Sequence, residues 1–296
     1  MNVSIIIVNY NTKQMTAECI ESVFCKTHGV EFEIILVDNG STDGSKEYFE
    51  KESRITYVYS KENLGFGKAN NLGLKYATGK YIFLLNSDTL LVNNAVFEMF
   101  SFMEMSEPMI GFCGGLLQNK DGTPRVGYYK NLPTLNWIFQ EIIHFAIPAL
   151  RFLVNPYAKT QKAVLKDKYP LFVDFICGAD LFVKREVVDK CGFFDPDFFM
   201  YYEETEMEYR FHKNGYKSVI IDSSKIIHLC GASSPKNFNL KKFNIVLQSR
   251  YLYAKKVFSP FNQMIFRLIH LILLPRILIC FSPWKEKKET LKIIFG

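Results

Sequence analysis

Residues Tyr81-Ile82-Phe83-Leu84-Leu85-Asn86-Ser87-Asp88 form a short apolar run that ends abruptly in amide, hydroxyl and carboxylate side chains. A run of this length, apolar at successive positions, describes a strand buried on both faces. Its polar end marks the carboxyl edge of that strand. The pattern recurs upstream, where Val3–Asn9 leads into Asn9-Tyr10-Asn11, Glu33–Val37 into Asp38-Asn39-Gly40-Ser41, and Ile55–Tyr59 toward Glu62-Asn63-Leu64-Gly65. Helical periodicity fills the intervals over Lys13–Lys26, Ser45–Lys51, Gly67–Ala77 and Ala95–Met105, and a further strand follows at Ile110–Leu117. Such alternation predicts an α/β fold with a mostly parallel, Rossmann-like sheet and helices on both faces. Ligands of these sheets bind at the carboxyl ends of the strands, where the polar motifs fall.

Residues 122–170 break this rhythm, with Pro124, Pro133, Pro148, Pro156 and Pro170 around the aromatic, apolar stretch Leu135–Val154. Regular structure resumes at Leu171, with a turn at Gly192–Asp197, a helix over about Glu203–Asn214, a strand at Ser218–Ile221 and the segment Ile226-Ile227-His228. From Asn237 the pattern is helical. These shifts divide the chain into a first half over 1–121, a variable insertion over 122–170 and a second half over 171–235. A helical C-terminal region covers 236–296.

The chain has 296 residues and is 48% hydrophobic and 22% charged, which suits a globular enzyme rather than a disordered chain. A net charge of +6, without a dense basic run, argues against a nucleic-acid partner and fits a phosphorylated ligand or an anionic membrane. Seven cysteines with no C-x-x-C pair oppose a disulfide framework or a zinc site and favour a reducing cytoplasm. Val3–Val8 lacks the basic region and cleavage site of a signal peptide.

Individual motifs carry chemistry but also have plain structural readings. Asp38, before Asn39-Gly40-Ser41-Thr42-Asp43-Gly44, can accept the N3–H of a uracil or thymine ring. The segment equally reads as an Asp-Gly turn with Ser41 or Asp43 capping the next helix. Asn63-Leu64-Gly65-Phe66-Gly67-Lys68 opens a helix whose amides can face phosphate. It has Asn70 where a dinucleotide fingerprint has its third glycine. Asp88, at a strand end, is placed to hold Mg²⁺ or Mn²⁺ against a diphosphate, or to cap the helix at Ala95. Glu203, Glu204 and Glu206 start a helix behind the aromatic run Phe198-Phe199-Met200-Tyr201-Tyr202. The helix dipole alone accounts for acids there, and Glu206 can pair with Arg210, four residues on. His228 can ligate a metal as neutral imidazole or be structural.

The ordered set Ser4–Asn11, Val37–Gly44, Asn63–Asn71, Ala77–Tyr81, Leu85–Asp88, Cys177-Gly178-Ala179-Asp180, Gly192–Asp195 and Glu203–Arg210 resembles family 2 glycosyltransferases of GT-A fold. It is closest to the rhamnosyltransferase-like branch of bacterial polysaccharide synthesis. The resemblance covers residues 1 to about 235, interrupted over 122–170. It implies that Asp38 reads the pyrimidine and that Asn9, Asn11, Asn63, Gly65, Lys68, Asn86 and Ser87 line the nucleotide-sugar site. Asp88 then matches the last acid of a D-x-D metal motif whose first acid is Asn86 here, and His228 joins that metal. Glu204 stands where the family has a catalytic Asp, with Glu203 as its rival, while Asp180, Tyr201 and Tyr202 form the platform for sugar and acceptor.

The resulting expectation is an inverting hexosyltransferase using Mg²⁺ or Mn²⁺. It would move L-rhamnose from dTDP-rhamnose, or a hexose from a UDP-sugar, to a lipid-linked or saccharide acceptor. The alternatives are a nucleotide-sugar-binding protein without transfer activity and a sugar nucleotidyltransferase. The nucleotidyltransferase is disfavoured because Asn9-Tyr10-Asn11-Thr12 is not a glycine-rich, basic phosphate loop. Phe261–Phe281 places Gln263, Arg267 and His270 on one helical face, is interrupted by Pro275 and Arg276, and precedes Lys285, Lys287, Lys288 and Lys292. This predicts an amphipathic helix lying in the interface on the inner face of the cell membrane. A core helix or a homodimer interface is the competing reading.

Overall fold

The computed structural model describes residues 1–146, 167–229, 240–280 and 284–295. Residues 147–154 of the apolar stretch and the helix start expected at Asn237 lie outside these ranges. The strands are β1 (Val3–Asn9), β2 (Phe32–Asn39), β3 (Thr56–Ser60), β4 (Tyr81–Asn86), β5 (Thr89–Leu91), β6 (Ile110–Gln118), β7 (Tyr128–Tyr129), β8 (Leu171–Val173), β9 (Phe175–Ile176), β10 (Asp180–Lys184) and β11 (Lys217–His228). The helices are α1 (Lys13–Lys26), α2 (Ser45–Phe49), α3 (Phe66–Leu74), α4 (Ala95–Met105), α5 (Leu135–Ala146), α6 (Arg185–Cys191), α7 (Glu203–Lys213), α8 (Leu240–Val257), α9 (Pro260–Cys280) and α10 (Trp284–Phe295).

One sheet organises the chain in the order β3-β2-β1-β4-β10-β6-β11-β5, with β8 also on β11. β3, β2, β1 and β4 pair in parallel, and β10 enters antiparallel between β4 and β6. Because β10 reverses between them, β6 and its parallel partner β11 run in the direction of β4, so the sheet is mostly parallel. The period-two rule shows directly in the cores. Val3, Ile5, Ile7, Ile34, Leu36, Tyr81, Phe83 and Leu85 pack with α1 and α4 residues on one face. Ile6, Ile35, Val37, Ile82 and Leu84 pack with α3, α6 and α7 residues on the other. Both faces are covered, which is why these strands read as continuous apolar runs.

Three departures from the sequence reading have physical causes. β5 is only three residues long and is held by antiparallel pairing to β11, a long-range contact without a local signature. The segments Ser218–Ile221 and Ile226–His228 are one strand, β11, whose register against β6 slips between Ile220 and Lys225. The intervening Asp222-Ser223-Ser224 looks like a loop in sequence but is absorbed as a bulge. Finally, α9 runs through Pro275 without interruption. Proline removes one backbone donor, and a long helix can survive that loss.

The C-terminal helices do not stand apart. Ile138 of α5 packs with Ala254 of α8 and Phe266 of α9. The insertion thus shares a core with the C-terminal region. Of the polar face expected on α9, Arg267 stays exposed while Gln263 and His270 turn inward: Gln263 donates to the Lys255 and Phe258 carbonyls at the end of α8. His270 is buried against Tyr251 and Phe266, and burial pushes its pKa down to about 4. Phe261, Met264, Leu268 and Ile272 face solvent, at 65%, 52%, 49% and 76% exposure.

Candidate active site

The loops at the carboxyl ends of β1, β2 and β4 are knitted by a small polar network. Asn9, fully buried at the end of β1, accepts hydrogen bonds at Oδ1 from the Thr12 N–H and from the Thr12 and Thr16 hydroxyls. Its Nδ2 donates to Ser41 Oγ on the β2 loop. Thr12 Oγ1 meets Ser87 Oγ at 3.1 Å, tying in the β4 loop. Asn11 sits in the left-handed region, with φ 55, and receives the Thr42 N–H. Asn63 Oδ1 accepts from Asn39 Nδ2 and from the Gly65 N–H.

Several of the expected site residues also have partners within the protein. Asn9 organises the loops, its oxygen accepting three bonds. Asp38 is fully buried, with Oδ1 accepting the Ser41 N–H and Oδ2 the Tyr57 hydroxyl. It braces the turn from inside. Gly65, at φ +83, is buried under Phe199: a Cβ there would collide with the Phe199 carbonyl oxygen, which accepts the Phe66 N–H at 3.0 Å. The first amide of α3 is therefore used by protein and does not face phosphate. Lys68, one turn on, is exposed. Asp180 lies in β10 beneath the sheet surface, with Oδ2 accepting the Gly115 N–H and Oδ1 unpartnered among the described residues. Burial drives its pKa well up.

Asp88 and His228 are brought together. Thr89 and His228 are direct partners across β5 and β11, and Leu229 N–H donates to the Asp88 carbonyl. His228 Nε2 stands 3.3 Å from Asp88 Oδ1. Two adjacent ligands of an octahedral ion bound at about 2.1 Å lie about 3 Å apart, so a carboxylate oxygen and an imidazole nitrogen at this spacing fit such an ion. The remaining positions would go to phosphate oxygens and water.

Across the site, α7 presents its acids. Tyr201 and Tyr202, just before it, both have positive φ, 70 and 66. A non-glycine residue in that region costs about 1–3 kcal/mol, so the surrounding contacts must hold this turn. Glu206 pairs with Arg210, whose guanidinium also donates to the carbonyls of Cys191, Gly192 and Phe193. This acid is structural. Glu203 is 3% exposed, and burial followed by the adjacent Glu204 raises its pKa well above the ordinary carboxylate value. Glu204 is half-buried, and its pKa is raised by burial against the lowering effect of its own N–H and that of Gly178. A helix dipole is worth at most about 2 kcal/mol to an acid at its N-terminus, and here burial outweighs it. Glu208, one turn further on, is fully buried, with Oε2 accepting the Ile176 N–H at 2.8 Å.

The turn at Gly178-Ala179 links the two halves. A Cβ at Gly178 would stand 3.9 Å from Glu204 Cβ, while the Ala179 carbonyl accepts the Asn86 N–H at 3.1 Å. The end of β4, just before Asp88, and the acid on α7 thus adjoin the same turn. Sequence reading did not single out Tyr57, Glu208 or the Thr12–Thr16 pair, and the one available signal was the spacing of Glu204 and Glu208, four apart on one helical face.

Comparison with known proteins places this geometry. A putative teichuronic acid biosynthesis glycosyltransferase, TuaG of Bacillus subtilis, is 32% identical over 126 residues, covering 41% of this chain and 50% of that protein. The low-salt glycan biosynthesis hexosyltransferase Agl10 of Haloferax volcanii is 22% identical over 87% of this chain and 77% of its own length. An uncharacterized glycosyltransferase of Rickettsia felis is 44% identical over 105 residues, which span 34% of this chain but only 17% of that longer protein. Among solved structures, the mannosyltransferase PcManGT from Pyrobaculum calidifontis, in complex with GDP-Man and Mn²⁺, matches 95% of this chain and 76% of its own with a TM-score of 0.57 at 15% identity. GalNAc-T7 with UDP, GalNAc and Mn²⁺ matches 99% of this chain and 54% of its own, with a TM-score of 0.61 at 16% identity. These likenesses show the GT-A fold. The glycosyl transferase family 2 model matches residues 4–178, more than half the chain, and the chain therefore belongs to glycosyltransferase family 2.

Proposed function

We propose that this protein transfers a hexose from a nucleoside-diphosphate donor to a saccharide or lipid-linked acceptor, inverting the anomeric centre, with L-rhamnose from dTDP-rhamnose as the first donor to test and UDP-hexoses next. The observation that carries the reading is the Gly178-Ala179 turn, which lies against both Asn86, at the head of the Asp88 loop, and Glu204. A leaving-group site and a base separated by one turn suit a single displacement. Asp88 and His228 would hold a divalent ion, Mg²⁺ or Mn²⁺, and the two structural neighbours carry Mn²⁺. Such an ion, when bound, offsets the negative charge developing on the departing diphosphate. The acceptor hydroxyl oxygen attacks the anomeric carbon, its proton passes to Glu204, and the bond to the diphosphate breaks with its electron pair leaving on phosphate. Burial makes Glu204 a stronger base than an exposed carboxylate, and general base catalysis of this kind contributes roughly 10²–10⁴-fold. Asn11, Asn63, Lys68, Asn86 and Ser87 border the donor site, and Tyr201 and Tyr202 flank the base.

The chain works at a membrane surface in this reading. No helix among the described residues is long and apolar enough to cross a membrane. Support for an interfacial position comes from the apolar stripe Phe261, Met264, Leu268 and Ile272 beside the exposed Arg267. The inner leaflet of the cell membrane, rich in anionic lipid, is the surface that suits it.

The decisive experiment is a donor panel with Mn²⁺ or Mg²⁺, reading release of dTDP or UDP and the anomeric configuration of the product. Metal-dependent release with inversion is expected. Binding without release from any donor would favour a carrier, and release of pyrophosphate would indicate a nucleotidyltransferase.

A further inference from the structure

We infer that α8, which lies beyond the family-matching residues 4–178, is part of the catalytic apparatus, with Ser249 and Arg250 as positioning residues for Glu204. The inference rests on Glu204 as the base. The segment from Asp195 to Tyr202 leads into α7 through two consecutive left-handed tyrosines, a conformation that persists only when its surroundings impose it. Those surroundings come from two sides. On one, the α3 start takes the Phe199 carbonyl with the Phe66 N–H. On the other lies α8.

Ser249 Oγ donates to the Met200 carbonyl at 2.7 Å, one residue before the strained pair. Arg250 Nε donates to the Tyr202 hydroxyl at 3.2 Å, and its guanidinium lies 5.9 Å from the centre of the same ring. Tyr253, one turn along α8, packs its ring 5.3 Å from Tyr202. Lys242 approaches the Tyr201 ring at 5.7 Å. Lys256 pairs with Asp195 at 2.6 Å and reaches Asp197 at 3.4 Å. The helix therefore touches the segment at its beginning and along its strained end.

The geometry explains why this should matter to Glu204. The Tyr202 carbonyl accepts the Glu206 N–H at 2.9 Å, the bond that closes the first turn of α7, and Glu204 lies within that turn. Relaxing Tyr202 toward ordinary φ re-aims the turn and moves Glu204 away from the Gly178-Ala179 turn. The metal-type pair Asp88 and His228, held by β5 and β11, does not depend on this turn. A loosened α8 clamp should therefore lower turnover and leave nucleotide affinity alone. Since α8 also shares a core with α5 and α9, the same helix joins the base to the proposed membrane face.

The test uses the full chain with Ser249→Ala, Ser249→Thr, Arg250→Gln and Arg250→Lys. The readouts are the Kd of UDP or dTDP with Mn²⁺, the kcat for donor turnover, and hydrogen exchange at the Glu206 amide. Ser249→Ala and Arg250→Gln should lower kcat about tenfold or more and speed exchange, with Kd within about twofold of the parent. Ser249→Thr keeps the hydroxyl and should restore kcat, while Arg250→Lys, lacking the planar group, should restore less. Faster exchange with unchanged kcat would overturn the positioning role, as would Kd and kcat falling together. If Arg250→Gln does not fold, the Ser249 pair decides alone. A parent that binds nucleotide but turns over no donor sinks the transferase reading, and unchanged exchange at Glu206 would then sink the clamp as well.

Discussion

His228 Nε2 faces Asp88 Oδ1 at 3.3 Å, and the two residues are 140 positions apart in the chain. β5 and β11 make the meeting possible by pairing Thr89 directly with His228. Both side chains are nearly buried, so a charge at either one is stabilised only by a partner, and a divalent cation satisfies both.

Asp88→Ala should abolish the metal dependence of nucleotide binding while leaving the fold intact, and His228→Ala should weaken it in the same direction. Calorimetric titration of UDP and dTDP with and without Mn²⁺ reads this. Equal affinity with and without the ion, in parent and variants alike, would remove both residues from any metal site.

Glu204→Gln should keep donor and metal binding but lose transfer by about 10²-fold or more, since the amide cannot take the acceptor proton. The parent's kcat should rise with pH through a pKa above the ordinary carboxylate value, because the base works ionised and burial favours its neutral form. Glu203→Gln should stay active. A dead Glu203 variant beside an active Glu204 variant would move the base by one residue.

Glu208 supplies a stability test separate from activity. Burial, with Glu204 and Asp174 nearby, raises its pKa well above 4.5, so the folded state holds a proton that the unfolded state releases. Its contribution is full below the unfolded pKa and is lost as pH rises through the folded one. Glu208→Gln should therefore match the parent's Tm near pH 4.5 and exceed it increasingly toward pH 8. A Tm deficit at every pH would mean that the bond to the Ile176 N–H needs a charged acceptor.

Ile272→Glu with Leu268→Glu should reduce co-sedimentation with vesicles containing anionic lipid and leave turnover of a soluble acceptor unchanged. Each buried apolar side chain of this size is worth about 1.5–3 kcal/mol, so the pair should shift partitioning by well over tenfold. Undiminished vesicle binding would mean that the exposed stripe meets something other than a membrane.

The sequence alone determined the α/β alternation, the strands β1 to β4 and the polar loops at their ends, because burial on both faces and the strand-to-helix change of period are local signals. It also located α7 with its acids, since a helix start and an aromatic run are legible within ten residues. Only the tertiary structure decided what each polar residue does. Asn9, Asp38, Gly65 and Asp180 look alike in sequence as polar or glycine residues at strand ends, but each meets a different partner brought from elsewhere: Ser41 and Thr16, Tyr57, Phe199 and Gly115. The sense of α9 was likewise decided by packing. A helical repeat of Gln263, Arg267 and His270 marks a face without saying which way it turns, and here Gln263 caps α8 while His270 fills a core. Periodicity measures the separation of residues along one element. Orientation depends on which other element buries it, and that is a long-range property.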